Sequence, residues 1–165
     1  MSGKRRKSYE AGHRPKFLAV VDESAECGRA IRFAARRASR TGAGVVLLSI
    51  VAPAEFHQWL GVGEVMLEEG EDAARALLET HAASARSLAG IEPELVIRTG
   101  VKSEEILKLI AEDEDISFFV LAAGTGAEGP GPLVSAVASK ASASFPIPIV
   151  IVPGGLDDDE IDALT

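Results

Sequence analysis

Five short apolar runs punctuate the sequence, and they constrain the fold more than any other feature in it. They are KFLAVV (16–21), VVLLSIV (45–51), PELVIR (93–98), ISFFVLAA (116–123) and PIPIVIVPG (146–154). Each has the length of a strand, and the apolar residues run on continuously instead of alternating with polar ones. Such a strand must be covered on both faces, which is the situation inside a parallel sheet. Between the runs lie segments with helical spacing. Ser24 is placed to cap a first helix on which Cys27, Ile31, Ala34 and Ala38 recur, and Gly42 and Gly44 stop it. A second helix reads from about Glu64 through Leu77, His81, Ala85 and Leu88 to Gly90. A third spans Ser103 to Ala111, with Glu104 and Glu105 in its first turn, where the helix dipole favours acids. A fourth runs from about Pro132 to Ser144. Alternation of strand and helix throughout predicts an α/β three-layer sandwich around a five-stranded parallel sheet.

Composition narrows the setting. With 165 residues the chain suits one domain with a continuous core, and 47% hydrophobic against 5% aromatic residues makes that core aliphatic. No apolar run approaches the roughly 20 residues needed to cross a bilayer. The start MSGKRRKSYEAGHRPK has no apolar secretion segment, so a cytoplasmic location without membrane contact is expected. The single cysteine, Cys27, leaves no internal disulfide and no cysteine-based zinc site, and its place on an apolar helix face favours packing over reactivity. A net charge of -8 argues against nucleic acid as a partner. Charge gathers at the ends: Lys4, Arg5, Arg6 and Lys7 in a polar stretch 1–15 expected to be a disordered basic arm, and Asp157, Asp158, Asp159, Glu160 and Asp162 in an acidic tail, 155–165. Either both ends are solvated or they attract each other, within or between chains. The domain proper is then 16–154.

Function turns on two stretches. In an open doubly wound sheet, ligands sit beyond the carboxyl ends of the strands where the strand order reverses. For the order 3-2-1-4-5, Asp22-Glu23-Ser24 after the first strand would neighbour the stretch after the fourth, where Gly124, Gly126, Gly129 and Gly131 fall within eight residues. Glycines before a helix let backbone N–H groups approach a phosphate. This stretch, however, has no lysine or arginine, carries Glu128, and loses two donors at Pro130 and Pro132. The Gly-Lys-Ser/Thr of a P-loop is absent, and Gly124-x-Gly126-x-x-Gly129 does not open the first βαβ unit. A phospho-accepting receiver site would need an aspartate after the third strand and a lysine after the fifth, where Arg98-Thr99-Gly100 and Pro153-Gly154 stand. His13, His57 and His81 are too dispersed for a shared metal site, although His57 and His81 could approach each other. No Ser/His/Asp or Cys/His constellation is visible, and Ser24 lacks a nucleophile-elbow context. Phe56 and Trp59 are expected to plug the sheet edge rather than lid the site.

Taken together, KFLAVVDES, RTGAGVVLLSIVAP, RTGVKSEEILKLIAED, FFVLAAGTG and FPIPIVIVPG resemble the universal stress protein family across residues 16–153. The resemblance implies the sheet order 3-2-1-4-5 of the adenine nucleotide alpha hydrolase-like fold. It implies that the aspartate after strand one, Asp22, serves base and ribose. It further implies a Gly-x2-Gly-x9-Gly-Ser/Thr motif after strand four for phosphates and ribose, and here the sequence departs. Anchored on Pro146-Ile-Pro148, the final pair falls on Ser135-Ala136 and the first glycine near Ala122-Ala123; started at Gly126 and Gly129, the motif ends on Ser139-Lys140. The candidate nucleotide-binding set is therefore a rearranged one, Asp22, Ser24, Val51, Gly124, Gly126, Gly129, Gly131 and Ser135, with ATP or AMP as the candidate ligand. The SGGxDS and HIGH signatures of relatives that perform adenylyl chemistry are absent. The expected function is a non-catalytic stress-response or regulatory protein. The alternatives are an ATP- or AMP-binding protein with slow hydrolase or transferase activity, and an interaction module using the charged ends. Family members commonly pair through the last strand, and PIPIVIV at a predicted sheet edge implies a homodimer through Pro148 to Val152.

Overall fold

The structure, a computed structural model, describes residues 5–53, 63–126, 129, 131–141 and 144–165. Phe56, His57, Trp59, Glu128 and Pro130 lie outside the described residues. The apolar runs become strands β1 (Lys16–Val20), β2 (Gly44–Val51), β3 (Glu94–Thr99), β4 (Ile116–Ala122) and β5 (Ile149–Val152). They pair in parallel in the order β3-β2-β1-β4-β5, the order that the family resemblance implies. β5 starts later than its apolar run because Pro146 and Pro148 have no N–H to give the ladder; the Pro148 carbonyl accepts from Phe119 at 3.0 Å. The helices are α1 (Cys27–Thr41), α2 (Gly63–Ala89), α3 (Lys102–Glu112), α4 (Pro132–Ala141) and α5 (Asp158–Leu164).

Strand alternation divides the core into two layers. Phe17, Ala19 and Val21 face one side, with Ala30, Ile31, Ala34 and Ala38 of α1 and Leu78 of α2. Leu18 and Val20 face the other, with Ile106, Leu109 and Ile110 of α3 and Val134 and Val137 of α4. The sheet is thus the middle of three layers. Gly42 ends α1 with φ +74°, a left-handed turn suited to glycine, and its N–H donates to the Ala38 carbonyl.

Both chain ends depart from expectation. Residues 5–15 are not a free arm but a strap across the amino ends of the strands. Arg6 donates to the carbonyls of Ile110, Asp113 and Ile116, Lys7 pairs with Glu114 at 3.2 Å, His13 meets Asp115 at 2.7 Å, and Ser8 is buried. Lys16 bridges Glu94 and Asp113 at 2.8 and 2.9 Å. Burial alone would lower its ammonium pKa, but those two carboxylates reverse this and leave it raised.

The acidic tail is not simply solvated, and among the described residues it pairs with arginines of α1 rather than with the basic head. Its residues fold into α5, opened by a capping box in which Asp157 accepts from the Glu160 N–H and Glu160 accepts from the Asp157 N–H, both at 2.8 Å. Ile161 is fully buried in the α1 layer. Asp162 takes both Nε and Nη2 of Arg32 at 2.7 Å, and Arg36 at 3.2 Å. Held by Arg32 and Arg36 against the opposing effect of burial, the Asp162 carboxyl is lowered to about 2.

Candidate functional site

The strand order reverses between β1 and β4, and a cavity of about 490 Å³ opens there beyond their carboxyl ends. β1 and its continuation supply Val20, Asp22, Glu23 and Ser24, and α1 supplies Glu26, Cys27 and Ala30. Val120, Leu121 and Ala122 come from β4, Gly131, Leu133, Val134 and Ala136 from the start of α4, and Val101, Lys102 and Ser103 from the β3–α3 junction. An adjoining space shares Asp22, Glu23 and Lys102 and is closed by Val51, Gly70 and Leu77. Val51 therefore belongs to the side chamber. There α2 approaches β2 so closely that a Cβ on Gly70 would stand 3.0 Å from the Val51 Cγ1.

Asp22 Oδ1 accepts from the Ser24 N–H at 2.8 Å and also from the Ser24 hydroxyl. This local turn competes with capping, so Ser24 does not cap α1. The helix begins at Cys27 with Glu26 in the cap position, and Glu26 makes no side-chain capping bond. The turn holds the Asp22 carboxylate at the cavity rim.

The glycine loop lies opposite. Gly131 (φ +108°) lines the cavity. Gly126 is exposed, and its carbonyl accepts from the Gly129 N–H at 3.1 Å, while the Gly131 carbonyl accepts from the Ser135 N–H at 3.0 Å. Ser135 is exposed on α4 and is not among the lining residues. Gly124 approaches the site indirectly: a Cβ there would come within 3.0 Å of Glu26 Oε1, so the carboxylate of Glu26 fills the space its missing side chain leaves. Gly154, after β5, braces the loop from behind; a Cβ on it would fall 2.5 Å from the Ala123 carbonyl.

A Cys/His pair forms after all, contrary to the sequence reading. Cys27 Sγ donates to the Asp22 carbonyl at 3.4 Å and lies 3.6 Å from His81 Nε2 of α2. Burial pushes the thiol pKa up and the imidazole pKa down, the latter despite Asp22 nearby. Both groups therefore rest neutral near pH 7, the opposite of a reactive thiolate–imidazolium pair. His81 was legible as a helix position, but its partner was not, because α1–α2 adjacency is a tertiary fact. Lys102 and Glu26 were missed for the same reason. The only signal for Lys102 was its place just beyond the carboxyl end of the third apolar run. Among the described residues there is no cluster that could hold a metal ion, and no helix is long and apolar enough to cross a membrane.

Known structures share this fold. The universal stress protein UspA from Lactobacillus plantarum superposes with a TM-score of 0.71 at 18% identity, covering 84% of this chain and 97% of its own. The universal stress protein from Archaeoglobus fulgidus in complex with dAMP gives 0.60 at 20% identity, covering 84% and 96%. A universal stress protein in complex with cAMP gives 0.58 at 16% identity, covering 84% and 95%. At these identities the likeness establishes the fold alone. No curated protein matches the chain in sequence. The universal stress protein family model matches residues 13–153, nearly the whole domain. On that match, with the parallel 3-2-1-4-5 sheet beneath it, the chain belongs to the universal stress protein family.

Proposed function

We propose that this chain is a non-catalytic regulatory protein of the stress response that holds an adenine nucleoside or nucleotide in the cavity beside Asp22. The observation that carries the reading is the cavity itself. It lies at the point where the strand order reverses, and its volume falls within the roughly 300–1,000 Å³ of small-molecule sites. Val20, Leu121, Leu133 and Val134 offer an apolar wall suited to a flat base, and the Asp22 carboxylate at the rim is an acceptor for sugar hydroxyls. The similar structures that hold cAMP and dAMP support an adenine ligand. The neutral Cys27–His81 pair supports binding without covalent chemistry on the ligand. Calorimetric titration of adenosine and AMP tests this. Binding to wild type that weakens at least tenfold in Asp22→Ala, with an unchanged circular dichroism spectrum, is expected. No heat at millimolar ligand would contradict the binding, and turnover of the ligand would contradict the non-catalytic role.

Pairing through β5 belongs to the same reading. β5 is a sheet edge, and Ile151 on it is 43% exposed. An apolar edge with unpaired backbone groups favours a second strand. Sedimentation at micromolar concentration should show a dimer; a monomer would remove this part of the proposal.

A further inference from the structure

Negative charge predominates around the cavity. Among the described lining residues, Asp22, Glu23 and Glu26 present three carboxylates against the single ammonium of Lys102, and Lys102 is itself exposed to solvent. Among the described residues, two backbone donors of the glycine loop and the start of α4 are already spent. The Gly129 N–H bonds to Gly126 and the Ser135 N–H to Gly131, and Pro132 has none. The start of α4 contributes about half a positive charge, which three full negative charges outweigh. The carboxylate of Glu26 occupies the space over Gly124, between the start of α1 and the glycine loop.

We infer that the cavity selects by charge, taking an uncharged adenine nucleoside in preference to its triphosphate, and that Glu26 is the residue that sets this preference. The inference rests on the adenine-binding reading above and adds to it the charge class of the ligand. Each added phosphate brings negative charge toward Glu26 and Glu23, so affinity should fall from adenosine through AMP to ATP. The repulsion acts across a partly solvated cleft, and salt should therefore weaken it.

The test is titration of adenosine, AMP and ATP into the full chain, in EDTA so that no cation bridges carboxylate to phosphate. Wild type and Glu26→Gln are compared at low and high salt. Wild type should bind adenosine at least tenfold more tightly than ATP, a gap of about 1.4 kcal/mol, and the gap should narrow as salt rises. Glu26→Gln should tighten ATP several-fold and narrow the gap between adenosine and ATP at low salt. Because Glu26 makes no capping bond, the substitution should leave α1 intact, and the salt series on wild type stands without any variant. ATP binding as tightly as adenosine in wild type, or a gap indifferent to salt, overturns the charge selection while leaving adenine binding in place. If none of the three ligands binds, the adenine reading fails and this inference fails with it.

Discussion

At the amino ends of the strands Arg6 spans three carbonyls, Lys16 bridges two carboxylates and His13 meets Asp115. At the carboxyl ends, by contrast, Asp22 and Ser24 bond to each other around an open cavity of about 490 Å³. One end of the sheet is stitched across distant segments, and the other is left with polar groups facing space. The contrast separates two jobs. Elements tied by many partners carry stability, and loops set on that frame carry recognition. The strap over the amino ends keeps α3 in register with β4, and α3 in turn presents Lys102 and Ser103 to the cavity from its opposite end.

The sharpest way to break this division is Arg6→Ala. It strips a part-buried guanidinium from the carbonyls of Ile110, Asp113 and Ile116. Leaving such acceptors unpaired costs about 1–3 kcal/mol. Urea unfolding should show that loss, while adenosine affinity stays within twofold.

A smaller effect should come from acid. Asp162 has a folded pKa of about 2 against 3.8 for the free side chain. A depressed carboxyl stabilises the folded chain above its unfolded pKa, and that stability is lost as pH falls through the folded value. The docking of α5 should therefore hold at pH 5 and loosen between about pH 4 and pH 2. Hydrogen exchange at Ile161 and Asp162 reports this, and Asp162→Asn should abolish the pH dependence.

The five strands were legible because continuous apolar runs bounded by glycine and proline need no knowledge of partners. The order of the sheet, and so the neighbourhood of Asp22 and the glycine loop, followed from the family resemblance. What the sequence concealed was every contact that depends on distant segments meeting. Residues 5–15 look like a solvated arm because their acidic partners, Asp113, Glu114 and Asp115, stand far along the chain. The tail reads as a charge run, yet one buried Ile161 and two arginines a helical turn apart on α1 dock it. Ser24 was misassigned as a cap because Asp22, two residues earlier, takes its hydroxyl and N–H. Gly131 of the glycine stretch lines the cavity with Asp22, while Glu26 over Gly124 is a fact of packing that spacing alone does not reveal.

The most direct test of this division is a crossed measurement on Arg6→Ala and Asp22→Ala, with thermal midpoint and adenosine affinity recorded for each beside wild type. For a chain of this size 1 kcal/mol moves the midpoint by about 2–4 °C. Arg6→Ala should lower the midpoint by several degrees and leave affinity within twofold, whereas Asp22→Ala should lose affinity at least tenfold and move the midpoint by no more than about 2 °C. Both variants losing both properties together, or the pattern reversed, would contradict the separation of a stabilising end from a binding end.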